Sequence, residues 1–352
     1  MARAAQEKTA VPDIPHPAEM TVLVGHLKAE ARMLSALRSG RLHHAWLLSG
    51  PEGIGKATLA WRFARYLLAH GDAPPPEDGD LQLDPAHPVF RRVAARAHPD
   101  LVSVERIIDE KTGRPKRAIG VDEARRILHF LTLTPAEGGW RVVIVDPVDD
   151  LNLAAANALL KTLEEPPQRT LFLLISHAPG RLLPTIRSRC LHLPLRPLTP
   201  AQVRETLALL DVTERTDAEV LEEAIAHCQG APGLALKLVT SSAGRLFSRL
   251  RATLDAGGVP DRAETTAIVQ ELAAARDPHA LALFVDLLRS WLQERAREAA
   301  LHGNAQTAQR LARAEAEIAH LLTRAESLNL DTGLVLTAIF QDLTRALQAS
   351  PA

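Results

Sequence analysis

Gly50-Pro51-Glu52-Gly53-Ile54-Gly55-Lys56-Ala57-Thr58 follows the apolar run Ala45-Trp46-Leu47-Leu48 and opens a segment in which Leu59, Phe63 and Leu67 recur every four residues. Strand, glycine loop and helix in that order predict a phosphate-binding loop. Gly50, Gly53 and Gly55 let the backbone curl so that its N–H groups point inward, and Lys56 supplies a point charge at the mouth of the helix. One part is missing. A magnesium-dependent loop of this kind carries Ser or Thr directly after the lysine, and here that residue is Ala57. Thr58 does not replace it, because one residue along a helix turns the side chain about 100° away.

Working outward, Arg141-Val142-Val143-Ile144-Val145-Asp146 is a continuous apolar run with an acid at its end. That pattern fits a parallel strand buried on both faces, with ligands beyond its carboxyl end. In nucleotide hydrolases such an Asp holds magnesium and a following Glu polarises the attacking water; here the next residue is Pro147. Asp149 and Asp150 are expected to cap the next helix, Asn152 to Glu165, which stops at Pro166-Pro167. Leu171 to Ile175 reads as another buried strand, ending at Ser176, where a polar side chain is placed to sense a phosphate. Leu101 to Val104 and Leu191 to Leu193 read as further strands, and helices are expected within 21–40 and from Asp122 to before Pro135. Alternating strands and helices indicate α/β architecture, a parallel sheet covered on both faces.

The connecting stretches carry less chemistry. His43-His44 reads as structural rather than as a metal pair, since adjacent strand residues face opposite ways. Gly71 to Pro88, rich in proline and acid, reads as a surface insertion. Asp109 to Arg117 is a charged loop whose Lys111, Arg114, Lys116 and Arg117 either touch phosphate or are solvated.

After residue 196 the pattern becomes helical. Thr199-Pro200-Ala201-Gln202 and Thr216-Asp217-Ala218-Glu219 are capping boxes that open a small lid. Further on, Leu281, Phe284, Val285, Leu288 and Leu292 form one apolar stripe and Leu336, Ile339, Phe340, Leu343 and Leu347 another, as in a helical bundle. The chain of 352 residues has 41 Lys plus Arg against 42 Asp plus Glu, a net charge of -1, so no global charge draws it to nucleic acid or membrane. Its two cysteines, Cys190 and Cys228, exclude a disulfide framework and a four-cysteine zinc site. No signal-peptide core or membrane-spanning run is legible, and a cytoplasmic location is expected.

The glycine loop after a histidine-alanine entry, the segment Asn157 to Pro167 and the triplet Ser188-Arg189-Cys190 together resemble the AAA+ subunits of the bacterial replicative clamp loader. The resemblance is close from Val24 to about Gly233 and extends beyond it only in character. It is nearest to the branch whose members generally do not hydrolyse ATP. It implies a flexible N-terminal tail at 1–20, an AAA+ P-loop domain at 21–196, a helical lid at 197–250 and a helical collar for oligomerisation at 251–352. The collar and a self-contained bundle are not separable from the stripes alone.

The resemblance also implies roles. Arg189, with Ser188 beside it, is an arginine finger that serves a neighbouring subunit in trans. Gly50, Gly53, Gly55, Lys56, Thr58 and Asp146 make a degenerate nucleotide site in which ATP or ADP is held weakly or not at all. ATP-hydrolysing relatives place a nucleotide-contacting arginine where this chain reads Gly230-Ala231-Pro232-Gly233. Zinc is not expected, because the insertion after the loop helix has no cysteine. The implied partners are the ATPase subunits and delta in a hetero-oligomeric ring within the DNA polymerase III holoenzyme, with the sliding clamp and primer-template DNA reached through that complex. Two other readings are an ATPase in its own right and a helicase-loading or repair AAA+ protein; the absence of a basic aromatic face counts against direct DNA binding.

Overall fold

The computed structural model describes residues 15–71, 73, 76, 79–106, 118–137, 139–274, 280–328 and 330–348. They belong to two compact units, Met1–Leu236 and Lys237–Ala352. In the first, β1 (Ala45–Ser49), β2 (Leu101–Glu105), β3 (Arg141–Asp146), β4 (Thr170–Ser176) and β5 (Leu191–Pro194) form one sheet in the order β2-β3-β4-β1-β5. Every pairing is parallel. All strand starts therefore lie along one edge of the sheet and all strand ends along the other.

The helices of this unit are α1 (Leu27–Arg38), α2 (Lys56–His70), α3 (Pro88–Ala94), α4 (Val121–Thr132), α5 (Leu153–Glu164), α6 (Pro184–Arg187), α7 (Pro200–Leu209) and α8 (Ala218–His227), and α9 (Pro232–Thr240) begins in it. Side chains alternate across the sheet. Leu47, Val143, Val145, Phe172 and Leu174 share a core with Ile127 and Leu131 of α4 and Leu159 and Leu163 of α5. Trp46 points the other way and lies 6.4 Å from Phe63 of α2, ring centre to ring centre. The continuous apolar runs of β3 and β4 are explained by this two-sided cover.

α2 is buried on more than its apolar stripe. Trp61, Arg62, Arg65 and Tyr66 are buried with Leu59, Phe63 and Leu67, because residues 16–21 lie along its outer side. Arg65 donates to the carbonyls of Ala18 and Met20, and Arg62 donates to Thr21 and pairs with Glu30 at 3.2 Å. These carbonyl partners offset the desolvation of two guanidinium groups. The flexible tail expected at 1–20 is thus, over 15–20, an anchored strap; residues 1–14 lie outside the described set.

Other expectations change in detail. α3 lies directly after the acidic insertion, begun by Pro88 with the His87 ring accepting from Val89 N–H at 3.2 Å, and Leu81 and Leu83 of the insertion are buried. Asn152, not Asp149 or Asp150, caps α5, its side-chain oxygen accepting from Ala155 N–H at 2.8 Å. Thr216 caps nothing: Asp217 holds the N-cap position of α8 without a side-chain bond. His43 and His44 precede β1 instead of alternating within it, so their rings stack at 4.5 Å, and His44 Nε2 lies 2.9 Å from the Leu163 carbonyl. The basic residues at 111–117 fall outside the described residues.

The second unit contains α10 (Ser242–Asp255), α11 (Arg262–Ala274), α12 (Ala280–Leu301), α13 (Ala305–Leu328) and α14 (Thr332–Gln348). Phe284 lies 6.1 Å from both Phe247 and Phe340, so the two apolar stripes meet inside this bundle. The stripes are covered within their own unit and do not by themselves require a partner. Asp255 ties α10 to α12, accepting from Arg251 of its own helix at 3.0 Å and from Trp291 at 2.8 Å and Arg295 at 3.0 Å. The sequence places domain boundaries at 196/197 and 250/251; the compact units divide within α9, since Leu246, Phe247 and Leu250 of α10 bury in the helical bundle. Among the described residues no helix is long and apolar enough to cross a membrane.

Candidate functional site

The loop leaves the sheet at Gly50, whose N–H donates to the Ser176 carbonyl at 3.3 Å. Gly50, Gly53 and Gly55 have φ of +146°, +76° and +102°, conformations that disfavour any side chain. At Gly50 space forbids one as well, since a Cβ would lie 2.6 Å from the Leu195 carbonyl oxygen. Lys56 is buried and turns back into its own loop, donating to Gly50 O at 2.7 Å and to Pro51 O. Burial pushes its ammonium down to about 8, a fall that Asp146, Glu52 and Asp149 hold back. Ala57 and Thr58 are half-buried in the first turn of α2.

Asp146 ends β3 and stands in register beside Glu105 of β2. Burial first, and then repulsion from Glu105, push its carboxyl up to about 7 against the pull of Lys56. Glu105 is itself 3.4 Å from His16 of the strap. Asp149 has a different task from the helix cap expected of it. It accepts the Ser176 hydroxyl at 2.7 Å and the N–H groups of His177 and Ala178. Ser176 is fully buried and gives its hydroxyl to Asp149, so it does not stand open to a phosphate as the sequence suggests.

Two segments close over the loop. On one side His26, buried at the start of α1, brings Nε2 to 2.6 Å from Ile54 O, and a Cβ on Gly55 would come 3.0 Å from Leu23 Cδ1. On the other, Gly233 at the start of α9 donates its N–H to Gly53 O at 2.9 Å. A Cβ on Gly233 would sit 2.9 Å from Gly53 Cα, so this approach is open only to glycine. The position where the resemblance looks for a nucleotide-contacting arginine is a backbone-to-backbone contact.

Arg189 lies elsewhere. It follows α6 and precedes β5, on the edge of the sheet where strands begin, whereas Gly50, Asp146 and Ser176 lie on the edge where they end. A five-residue strand separates those edges by about 17 Å. The Arg189 guanidinium donates to Thr185 O at 2.8 Å and to Ser188 Oγ at 3.4 Å, and it pairs with the carboxylate of Glu164. Its side chain is 31% exposed. Ser188 serves the turn, its hydroxyl donating to Thr185 O at 3.1 Å. Cys190 is half-buried with its thiol on Ile186 O and pushed up to about 12 by burial, which leaves it no nucleophilic thiolate. Cys228 is core.

The structure thus brings Gly50, Gly53, Gly55, Lys56 and Asp146 together and sets Ser188 and Arg189 apart. Sequence reasoning missed His26, Glu105 and Glu164 and gave Asp149 the task of a helix cap. Only His26, a polar residue just ahead of an amphipathic helix and next to Gly25, carries any local signal.

A parallel sheet with the glycine loop after β1, an acid at the end of β3 and a helical segment on the loop defines a P-loop protein of the AAA+ class, with a helical bundle following it. Residues 25–199 match the family described as DNA polymerase III, delta subunit. They are similar to DNA polymerase III subunit delta' of Pseudomonas aeruginosa, 40% identical over 195 residues, 55% of each chain. The same subunit of Escherichia coli is 36% identical over 208 residues, 59% of this chain and 58% of that one. Similarity extends to the tau/gamma subunit of Haemophilus influenzae, 30% identical over 262 residues, 74% of this chain and 34% of that one. A gamma-subunit-related protein of Thermotoga maritima aligns over 90% of this chain and all of its own at 19% identity and a TM-score of 0.41. Over this region the chain is similar to subunits delta' of DNA polymerase III; it matches little more than half the length of those relatives.

Proposed function

We propose that the chain is a non-hydrolysing subunit of the replicative clamp loader, which braces a hetero-oligomeric ring and offers Arg189 to ATP held by a neighbouring subunit. The observation that carries this reading is the position of Arg189 at the edge of the sheet opposite the glycine loop. An arginine there serves no phosphate in its own loop and is available to another chain. A planar guanidinium presents several fixed donors to phosphate oxygens and neutralises charge on a transferring phosphoryl group.

The chain's own loop supports the other half of the proposal. Ala57 supplies no metal-ligating hydroxyl, Pro147 no water-polarising carboxylate and Gly233 no arginine. Lys56 is held by two loop carbonyls, and Gly53 O is taken by Gly233 N–H. These residues fit a triphosphate with its magnesium poorly, and ATP or ADP is bound weakly or not at all; no zinc or other cofactor is required. The partners are the ATPase subunits and delta, with the sliding clamp and primer-template DNA reached through the assembly.

The similarity to gamma and tau subunits favours a second reading, an ATPase subunit in its own right. ATP turnover by the purified chain separates the two. No turnover above background is expected, and steady turnover abolished by Lys56→Ala would overturn the proposal.

A further inference from the structure

We propose that Glu164 is a positioning residue for Arg189, an inference that rests on the arginine-finger reading. Glu164 is the last residue of α5, a helix fixed at one end by the Asn152 cap and along its length by the buried side chains Ala155, Ala156, Leu159 and Leu163. Its backbone is therefore a rigid post. α5 and α6 pack together, and the carboxylate of Glu164 meets Nη2 of Arg189 while Thr185 O and Ser188 Oγ hold Nη1. An exposed arginine otherwise spreads over many rotamers, and holding both terminal nitrogens selects one. The carboxyl ends of α5 and α6 both favour a cation at this corner.

Magnitudes decide whether Glu164 aims the arginine or withholds it. Both partners are partly exposed, at 31% and 49%, and an ion pair of that kind changes an equilibrium by less than about five-fold. A finger contact to a transferring phosphoryl group is worth about 10³ to 10⁵ in rate. Glu164 cannot hold Arg189 back from a phosphate; its effect is to set the guanidinium's orientation before the phosphate is met. The Nε–H of Arg189 has no partner among the described residues and remains to be used.

The test compares complexes assembled with full-length chains carrying Glu164→Ala, Glu164→Gln, Glu165→Gln, Arg189→Ala or the Glu164→Ala/Arg189→Ala pair, each verified for stoichiometry. Glu164→Ala is expected to lower kcat at the affected ATP site about two- to five-fold with KM unchanged, since the arginine acts on the transition state. Glu164→Gln, which keeps an acceptor at the same place, recovers part of the loss. Glu165→Gln, a change of the same charge one residue on, has no effect. In the Arg189→Ala background Glu164→Ala adds nothing. A rate at or above wild type for Glu164→Ala, an equal loss for Glu165→Gln, or the same fold-loss with Arg189 absent would each overturn the inference. Arg189→Ala without effect on an assembled complex removes the finger reading itself; Arg189→Ala with a loss and Glu164→Ala without one removes only this inference.

Discussion

The two edges of one parallel sheet in this chain are built to opposite rules. Where the strands end, charged and polar groups are turned inward: Lys56 is bound by its own loop, Ser176 by Asp149, and Gly53 by Gly233. Where the strands begin, Arg189 is held by an exposed carboxylate and a turn carbonyl, bonds that an arriving phosphate replaces at little cost. The first edge keeps the form of a phosphate site, with the Lys56 ammonium and the Ser176 hydroxyl already donating within the chain. The second has no such form and keeps a cation accessible. On the proposed function, the fold retains the shape of a nucleotide loop for packing while its usable chemistry lies on the far side of the sheet.

The largest expected effect falls on the second edge. Arg189→Ala should lower turnover at the site it serves by about 10³ to 10⁵, and bulk turnover of a complex with several sites by far less. Arg189→Lys should fail as well, because a point charge does not reproduce the planar fork. Single-site hydrolysis in the assembled complex checks both.

At the first edge, Asp146 gives a pH signature. Its folded-state carboxyl is raised to about 7, so the folded chain binds more protons than the unfolded one from about pH 4 to 7, and stability falls as pH rises through that window. Asp146→Asn removes this contribution. The variant's advantage in unfolding free energy, read from urea titrations, should grow from pH 4 to 7 and then level off, reaching at most about 4 kcal/mol. A constant difference across the window would place the carboxylate in a more solvated setting than the one described.

A smaller loss is expected from Gly233→Ala. The added methyl would lie 2.9 Å from Gly53 Cα and must push α9 from the loop, at a cost of about 1–3 kcal/mol seen in the unfolding midpoint. Gly303→Ala is the contrast, because nothing lies within 4 Å there and only the left-handed backbone, at φ of +78°, opposes the methyl. The smallest effect belongs to Ala57→Ser, which should leave the isolated chain without turnover, since Pro147 and Gly233 still stand where a carboxylate and an arginine are needed.

How far the sequence told this difference depends on range. The loop, the buried runs of β3 and β4 and the end of α5 at Pro166 are written in neighbouring residues, and each lies where its pattern puts it. The strap at 15–20 is invisible locally, because it depends on Arg62 and Arg65, which read as surface residues of an amphipathic helix until carbonyls more than forty positions away are brought to them. Asp149 looks like a helix cap for the same reason: its partners on Ser176 and His177 come from a different strand. Glu164 and Arg189, 25 residues apart, meet only because the chain, after crossing the sheet in β4, comes back to begin β5 at the edge where α5 ended.

The central claim is that the working chemistry lies at Arg189 and not at the loop. ATP turnover of the assembled complex, measured once with Lys56→Ala and once with Arg189→Ala in this chain, tests it most directly. The account predicts wild-type turnover with Lys56→Ala and a clear loss with Arg189→Ala, both in complexes of full stoichiometry; a loss with Lys56→Ala and none with Arg189→Ala would contradict it.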